Sequence, residues 1–99
     1  MNNNESEQYL LMKKGESFCF DDYLFNKQKQ CAKIISYVNK RPFGNMNREK
    51  AFKKLFASIG KNCIIKEGFK CNFGFNISIG NDCYINYNVT ILDSYEVSI

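Results

Sequence analysis

Histidine is absent from these 99 residues, proline occurs once, and no apolar run approaches the length of a membrane span. The first absence weighs most. Without imidazole a zinc site of the usual mixed kind cannot be assembled. The five cysteines, Cys19, Cys31, Cys63, Cys71 and Cys83, contain no CxxC pair to hold a metal instead. No metal is expected. A spanning helix needs about 18 or more consecutive apolar residues, and no such stretch occurs. Nor does a charged, then apolar, then small-residue leader open the chain. A cytoplasmic location with no membrane partner is the expectation. The net charge of +4 comes from dispersed lysines, Lys13-Lys14 and Lys53-Lys54 among them, interleaved with acids. A nucleic-acid surface needs a denser basic stripe, so no nucleic-acid partner is expected, although a mild positive field helps to attract an anionic cofactor.

What the chain has is a rhythm. Phe73, Ile79, Ile85, Ile91 and Val97 lie six apart, and a second row, Ile59, Ile65, Cys71, Ile77, Cys83, Val89 and Tyr95, keeps step with them. A helix repeats near 3.6 residues and a strand near 2, so a period of six fits neither. It fits a triangular solenoid in which each flat face takes one hexapeptide, a turn takes about 18 residues, and turns stack at roughly 4.8 Å. Both rows are expected to point inward, with Cys71 and Cys83 as small core filler. Gly74 and Gly80 follow inward residues at corners, where a residue without Cβ tolerates positive φ. Asn81-Asp82 and Asn86-Tyr87-Asn88 supply polar, turn-compatible corners.

Upstream the period is helical. Ser6 caps a short helix reaching Lys14, with Gly15 as its stop, behind an Asn-rich start from Met1 to Glu5 that is expected to fray. Asp21 or Asp22 caps a second helix running to Asn39, whose buried face is Leu24, Cys31, Ile35 and Val38. Arg41-Pro42 with Gly44-Asn45 breaks it. Asn47 is expected to cap a third helix with Phe52, Leu55, Phe56 and Ile59 as its stripe and Gly60 at its end. The expected division is therefore a helical region over 1–60 and solenoid coils over 61–99, the helices covering the open first coil.

The segment from Phe69 to Asp93, with Ile79-Gly80-Asn81-Asp82 and Asn86-Tyr87-Asn88 at its centre, resembles the first coils of the maltose/galactoside O-acetyltransferases, which include nodulation-type sugar acetyltransferases. Met12-Lys13-Lys14-Gly15-Glu16 is similar to that family's Met-x-x-Gly-Glu element. Tyr37-Val38-Asn39 resembles the close of its second helix, and Leu55-Phe56 with Ile59-Gly60 resembles its link into the solenoid. The likeness runs along essentially the whole chain but only the N-terminal half of a family member. It implies an α+β fold in which N-terminal helices cap the first coils of a left-handed parallel β-helix. It also implies transfer of an acetyl group from acetyl-CoA to a sugar hydroxyl, with a histidine on a later coil, beyond Ile99, as general base.

Carried over residue by residue, Asn86 matches the asparagine that lines the acceptor site and stabilises the transition state. Asn72 stands at a sugar-contacting position, with an amide in place of the usual carboxylate or hydroxyl. Asp93 matches the family's Leu/Val-Asp, Ser94 stands where galactoside-type members carry a second acid, and Asp21 or Asp22 is a further candidate sugar contact. The family's CoA site is built from later coils and from a neighbouring subunit, which implies a homotrimer with active sites between subunits. The expectation is the N-terminal part of such an enzyme, inactive alone; the alternative is a non-catalytic oligomerisation or sugar-binding piece of the same fold. A metal-dependent β-helix enzyme of the carbonic-anhydrase type is excluded by the missing imidazoles.

Overall fold

The computed structural model describes residues 5–99, so the Asn-rich start lies, but for Glu5, outside the described residues. The Ser6 hydroxyl accepts the Tyr9 N–H at 3.1 Å to open α1 (Glu7–Lys13), and the chain leaves that helix through Gly15 at φ +76°. Asp21, rather than Asp22, caps α2 (Asp22–Asn39), its carboxylate taking the Leu24 N–H at 3.0 Å. Leu24, Cys31 and Val38 are buried along one stripe of α2, and Ile35 is half-buried beside them.

The cap carries a pH signature. The Leu24 N–H, and then the Ser6 hydroxyl, favour the charged form of Asp21 and hold its carboxyl below the ordinary 3.8. A carboxyl depressed in the folded state contributes stability that is complete above its unfolded pKa and is lost as pH falls through the folded one. Thermal melts below about pH 4 should therefore fall more steeply for the parent than for Asp21→Asn, which caps without ionising. Parallel melting curves for the two proteins would contradict this.

The third helix, α3 (Met46–Leu55), begins earlier than expected. Asn45 is its cap, accepting the Arg48 N–H at 3.0 Å, because the turn at Gly44 (φ +90°) returns Asn45 N–H to the Pro42 carbonyl and leaves its side chain at the helix mouth. Asn47 lies inside the helix. Phe52 and Leu55 are buried on α3 and Phe56 just after it. The rings of Phe52, Phe56 and Phe69 meet at centroid distances of 5.6 to 6.0 Å, in the range of favourable aromatic pairs. Gly60 does not end the helix, since the chain has turned to strand by Ser58.

Seven short strands follow: β1 (Ser58–Ile59), β2 (Ile64–Ile65), β3 (Lys70–Cys71), β4 (Ile77–Ile79), β5 (Tyr84–Ile85), β6 (Thr90–Ile91) and β7 (Val97–Ser98). They form three parallel sheets, β1-β4-β7, β2-β5 and β3-β6, one for each face of a triangular coil. Ser58 pairs with Ser78, Ile65 with Ile85, Cys71 with Ile91 and Ile77 with Val97, so the repeat is 20 residues and not the expected 18. Two of the three corners keep the hexapeptide step. The third, from Asn72 to Asn76, is two residues longer.

That extra pair shifts the register of both sequence rows. Ile59 continues as Ile65 and Cys71 and then, after the long corner, as Ile79, Ile85 and Ile91. Phe73, expected inside the coil, is buried instead with Met12 and Leu24 in a second cluster bordered by Tyr9, Phe18, Tyr23 and Phe75. Tyr95, expected inward, is 49% exposed and lies against Gly15. Cys71 and Cys83 do pack against the main core as small filler.

The corners also divide their conformational work differently from the expectation. Positive φ falls on Asn62 and Asp82, 20 residues apart, and on Gly68 and Asn88, the next equivalent pair; Asn and Asp are the side chains that tolerate this region best. Gly74 is at φ +88°, but Gly80 is not in the left-handed region. The Gly60-Gly80 pair answers a different need. A Cβ on Gly60 would run into the Gly80 backbone of the next coil.

The helices finish the open side of the first coil. Ile64, Lys66 and Lys70 turn their N–H groups toward the second coil, bonding the Cys83, Ile85 and Val89 carbonyls at 2.8–3.0 Å. The carbonyls of Ile65, Phe69 and Cys71 are met by side chains of the helices instead. Arg48 reaches Ile65 O at 2.6 Å, Asn39 Nδ2 reaches Phe69 O at 3.0 Å, and the Cys31 thiol reaches Cys71 O at 3.5 Å. Asn39 Oδ1 also accepts the Gly68 N–H at 3.0 Å. An exposed strand edge invites pairing with other chains, and here polar side chains and helix close it.

Candidate functional site

The expected site residues occupy two corners of the second coil and the long corner of the first. Asn72 follows β3, and Asp93 and Ser94 follow β6, the strand paired with β3. The fold therefore brings these three together. Asn72 N–H donates to Asp93 Oδ1 at 3.0 Å, as does Phe73 N–H at 2.9 Å. Asp93 Oδ2 takes the N–H groups of Gly74 at 2.8 Å and Asn76 at 3.4 Å, and Asn76 Nδ2 returns a bond to Asp93 O at 2.8 Å. Lys13 Nζ closes the group from α1 by donating to Asn76 Oδ1 at 2.7 Å.

This geometry gives Asp93 a structural part that the sequence did not show. It is fully buried, and both its oxygens are engaged by main-chain donors, so it does not present a carboxylate to a ligand. Its observed work is to hold the long corner in shape. Four N–H groups that the two additional residues would otherwise leave without acceptors converge on one side chain. Asn72 and Ser94 are half-buried on either side of it. Asp21, likewise a candidate sugar contact, has its carboxylate on the Leu24 N–H as a helix cap.

Asn86 stands apart, at the other end of β6, on the corner between β5 and β6. It is exposed, and among the described residues its single hydrogen bond is from the adjacent Tyr87 N–H to its Oδ1 at 2.8 Å. Other corner amides bridge coils: Asn81 Oδ1 accepts Lys61 N–H at 2.8 Å, and Asn76 bonds the Asp93 carbonyl. The Asn86 amide does not, and its NH2 is left facing outward. Tyr84 and Tyr87 beside it are 58% and 57% exposed, and Lys66 Nζ sits 5.7 Å from the centre of the Tyr87 ring. An outward amide between two exposed rings can donate to a hydroxyl or an oxyanion while the rings cover a sugar face. The cavity of about 610 Å3 beside α3, lined by Lys53, Gly60, Lys61 and Asn81 among others, includes none of the expected acceptor contacts.

Sequence reasoning missed Arg48 altogether, although it is fully buried and links α2, α3 and β2. A lone arginine in a helix otherwise rich in lysine reads as surface. The signal available was its place one position from the half-buried Glu49, which it meets at 3.3 Å.

Parallel coils of this kind define a class. Solved structures similar to this one are hexapeptide-repeat acetyltransferases. One from Vibrio cholerae, complexed with acetyl coenzyme A, matches at TM-score 0.85 and 26% identity over 95% of this chain and 51% of its own. A galactoside acetyltransferase in complex with coenzyme A matches at 0.82 and 26% identity over 95% and 48%, and a maltose O-acetyltransferase from Clostridium difficile at 0.80 and 26% over 95% and 51%. In sequence, the galactoside O-acetyltransferase of Escherichia coli is 40% identical over 66 residues, 67% of this chain and 32% of that protein. Nodulation protein L of Rhizobium meliloti is 46% identical over 41 residues, 41% and 22% respectively. The homologues of this chain are thus O-acetyltransferases of the galactoside type and nodulation protein L, and it spans between about a fifth and a half of the length of the proteins it matches. No protein-family model matches it. No helix among the described residues is long and apolar enough to cross a membrane.

Proposed function

We propose that this chain is the acceptor-side portion of a sugar O-acetyltransferase, in which an acetyl group passes from acetyl-CoA to a hydroxyl of a galactoside- or maltose-type sugar. The observation that carries the reading is the outward NH2 of Asn86, whose Oδ1 alone is engaged, on a coil shared with acetyltransferases solved with acetyl coenzyme A or coenzyme A. In this reading Asn86 donates to the oxyanion or to the acceptor hydroxyl, Asn72 and Ser94 contact the sugar, and Asp93 serves through the corner it holds. The coils wind left-handed, the assembly is a trimer with sites between subunits, and its place is the cytoplasm. The 99 residues contain no histidine, so a histidine general base has to come from elsewhere in the assembly. Asn86 stands on an exposed corner that is no cleft by itself, and no contact with acetyl-CoA is assigned to these residues.

The test is release of free CoA from acetyl-CoA with galactosides or maltose as acceptors. The 99-residue chain alone is expected to release none. In an assembly that supplies the base, Asn86→Ala should lower kcat by about 100-fold, the scale for losing one oxyanion donor. Unchanged turnover in Asn86→Ala would remove the amide from the mechanism. Saturable sugar binding with no turnover in any assembly would favour the non-catalytic sugar-binding reading.

A further inference from the structure

We propose that Cys31 and Cys71 form an oxidative modification site, a dithiol that takes a hydroperoxide as substrate and closes to a disulfide joining α2 to the first coil. The two sulfurs are 3.5 Å apart although 40 positions separate them in the chain. A disulfide bond is about 2.05 Å long, so the change required is on the scale of a side-chain rotation. Among the described residues no other pair of thiols is in contact, although Cys63 and Cys83 occupy equivalent positions on stacked coils, 20 residues apart. Cys19 is exposed, and Cys63 and Cys83 point their thiols at main-chain carbonyls, Gly80 O at 3.0 Å and Asn81 O at 3.5 Å.

Access comes from the helix side. Cys31 is only 2% exposed, but it lines a cavity of about 200 Å3 whose walls include Lys27, Lys54 and Phe73. That volume admits a peroxide. Burial, and then the Asp93 carboxylate, oppose a thiolate at its base. The sulfur contact itself divides the roles. Hydrogen bonding from Cys71 draws the Cys31 thiol below its ordinary pKa, whereas the same contact, with burial, pushes Cys71 up.

The Cys31 thiolate attacks one oxygen of the hydroperoxide, the O–O bond breaks, and Cys31 becomes a sulfenic acid as the other oxygen leaves as hydroxide or alkoxide and takes a proton from water. The Cys71 thiol then attacks the sulfenic sulfur, its proton leaves with the hydroxyl as water, and the disulfide forms. Two thiols are oxidised and one peroxide is reduced.

The protein is treated with hydrogen peroxide, its remaining thiols are alkylated, and its peptides are mapped without reduction. The expected product is a Cys31 peptide joined to a Cys71 peptide, formed before Cys63 or Cys83 reacts and released by dithiothreitol. The same cross-link is expected when Cys19, Cys63 and Cys83 are all replaced by serine. Cys71→Ser should instead leave Cys31 as a sulfenic acid that dimedone captures. Recovery of Cys31 and Cys71 as alkylated free thiols from the parent protein, at a peroxide dose that oxidises Cys19, would overturn the proposal.

Discussion

Replacing Asp93 with alanine should lower unfolding stability by about 4 kcal/mol, the largest effect expected of any single substitution on the solenoid. The side chain is fully buried and accepts the N–H groups of Asn72, Phe73, Gly74 and Asn76. Its removal leaves those donors with no protein acceptor from this side chain. A hydrogen bond to a charged group is worth about 1.5–3 kcal/mol net, and water entering the vacated space recovers part of the sum. The long corner also carries Phe73 and Phe75 into the second cluster, so its loosening should release the packing of α1 as well. Asp93→Asn keeps one acceptor oxygen but turns an NH2 toward the other donors, and an intermediate loss is expected. Urea unfolding of the three proteins measures this. A loss under about 1 kcal/mol for Asp93→Ala would show that the corner holds itself without the carboxylate.

Arg48→Met should cost about 3 kcal/mol, the upper end of the scale for losing charge-assisted hydrogen bonds that leave a buried carbonyl unpaired. The guanidinium is enclosed between α2 and the first coil. Its Nε donates to Val38 O at 3.3 Å and an Nη to Ile65 O at 2.6 Å, and its Cζ lies 4.9 Å from the Phe52 ring centre. Val38 O also accepts the Arg41 N–H at 3.2 Å, so the sharper loss falls on Ile65 O at the open edge of the coil. Methionine matches much of the stem's volume and none of its donors, so cavity effects stay small and the polar loss is isolated. Arg48→Lys keeps a charge but not the fork that reaches two carbonyls at once, and should recover less than half of the difference. Urea unfolding, with hydrogen exchange at the first-coil amides, reads both effects. If Lys and Met behave alike, the charge contributes nothing and the two-carbonyl geometry accounts for the whole loss.

The candidate site was legible in uneven degree. Asn86 could be singled out because its motif is local: a corner asparagine next to an aromatic residue is visible in the sequence, and the structure leaves its NH2 outward. Asp93 was singled out as a sugar contact, and its engagement by the long corner was not visible. Its partners lie 17 to 21 positions away on the preceding coil, and only the closed turn shows that main-chain donors occupy both oxygens. Arg48 was missed because a buried arginine and a surface arginine look alike until the carbonyls around them are known. Phe73 and Tyr95 were assigned inward for a related reason: a row six apart continues arithmetically across a corner that contains two additional residues.

By itself the sequence determined the kind of fold. Apolar residues at a period of six can be buried together only by stacked flat faces, and Ser6 and the Asp21-Asp22 pair mark where their helices begin through bonds made within three residues. Helix starts and repeat period are local properties, set by side chains that meet their partners nearby. The tertiary structure alone decided the 20-residue turn, the burial of Phe73 under the helices rather than inside the coil, the closing of the first coil by Arg48, Asn39 and Cys31, and the burial of Asp93. Each of these depends on which backbone groups remain unpaired once the coil has closed, and those groups belong to residues far apart in the chain.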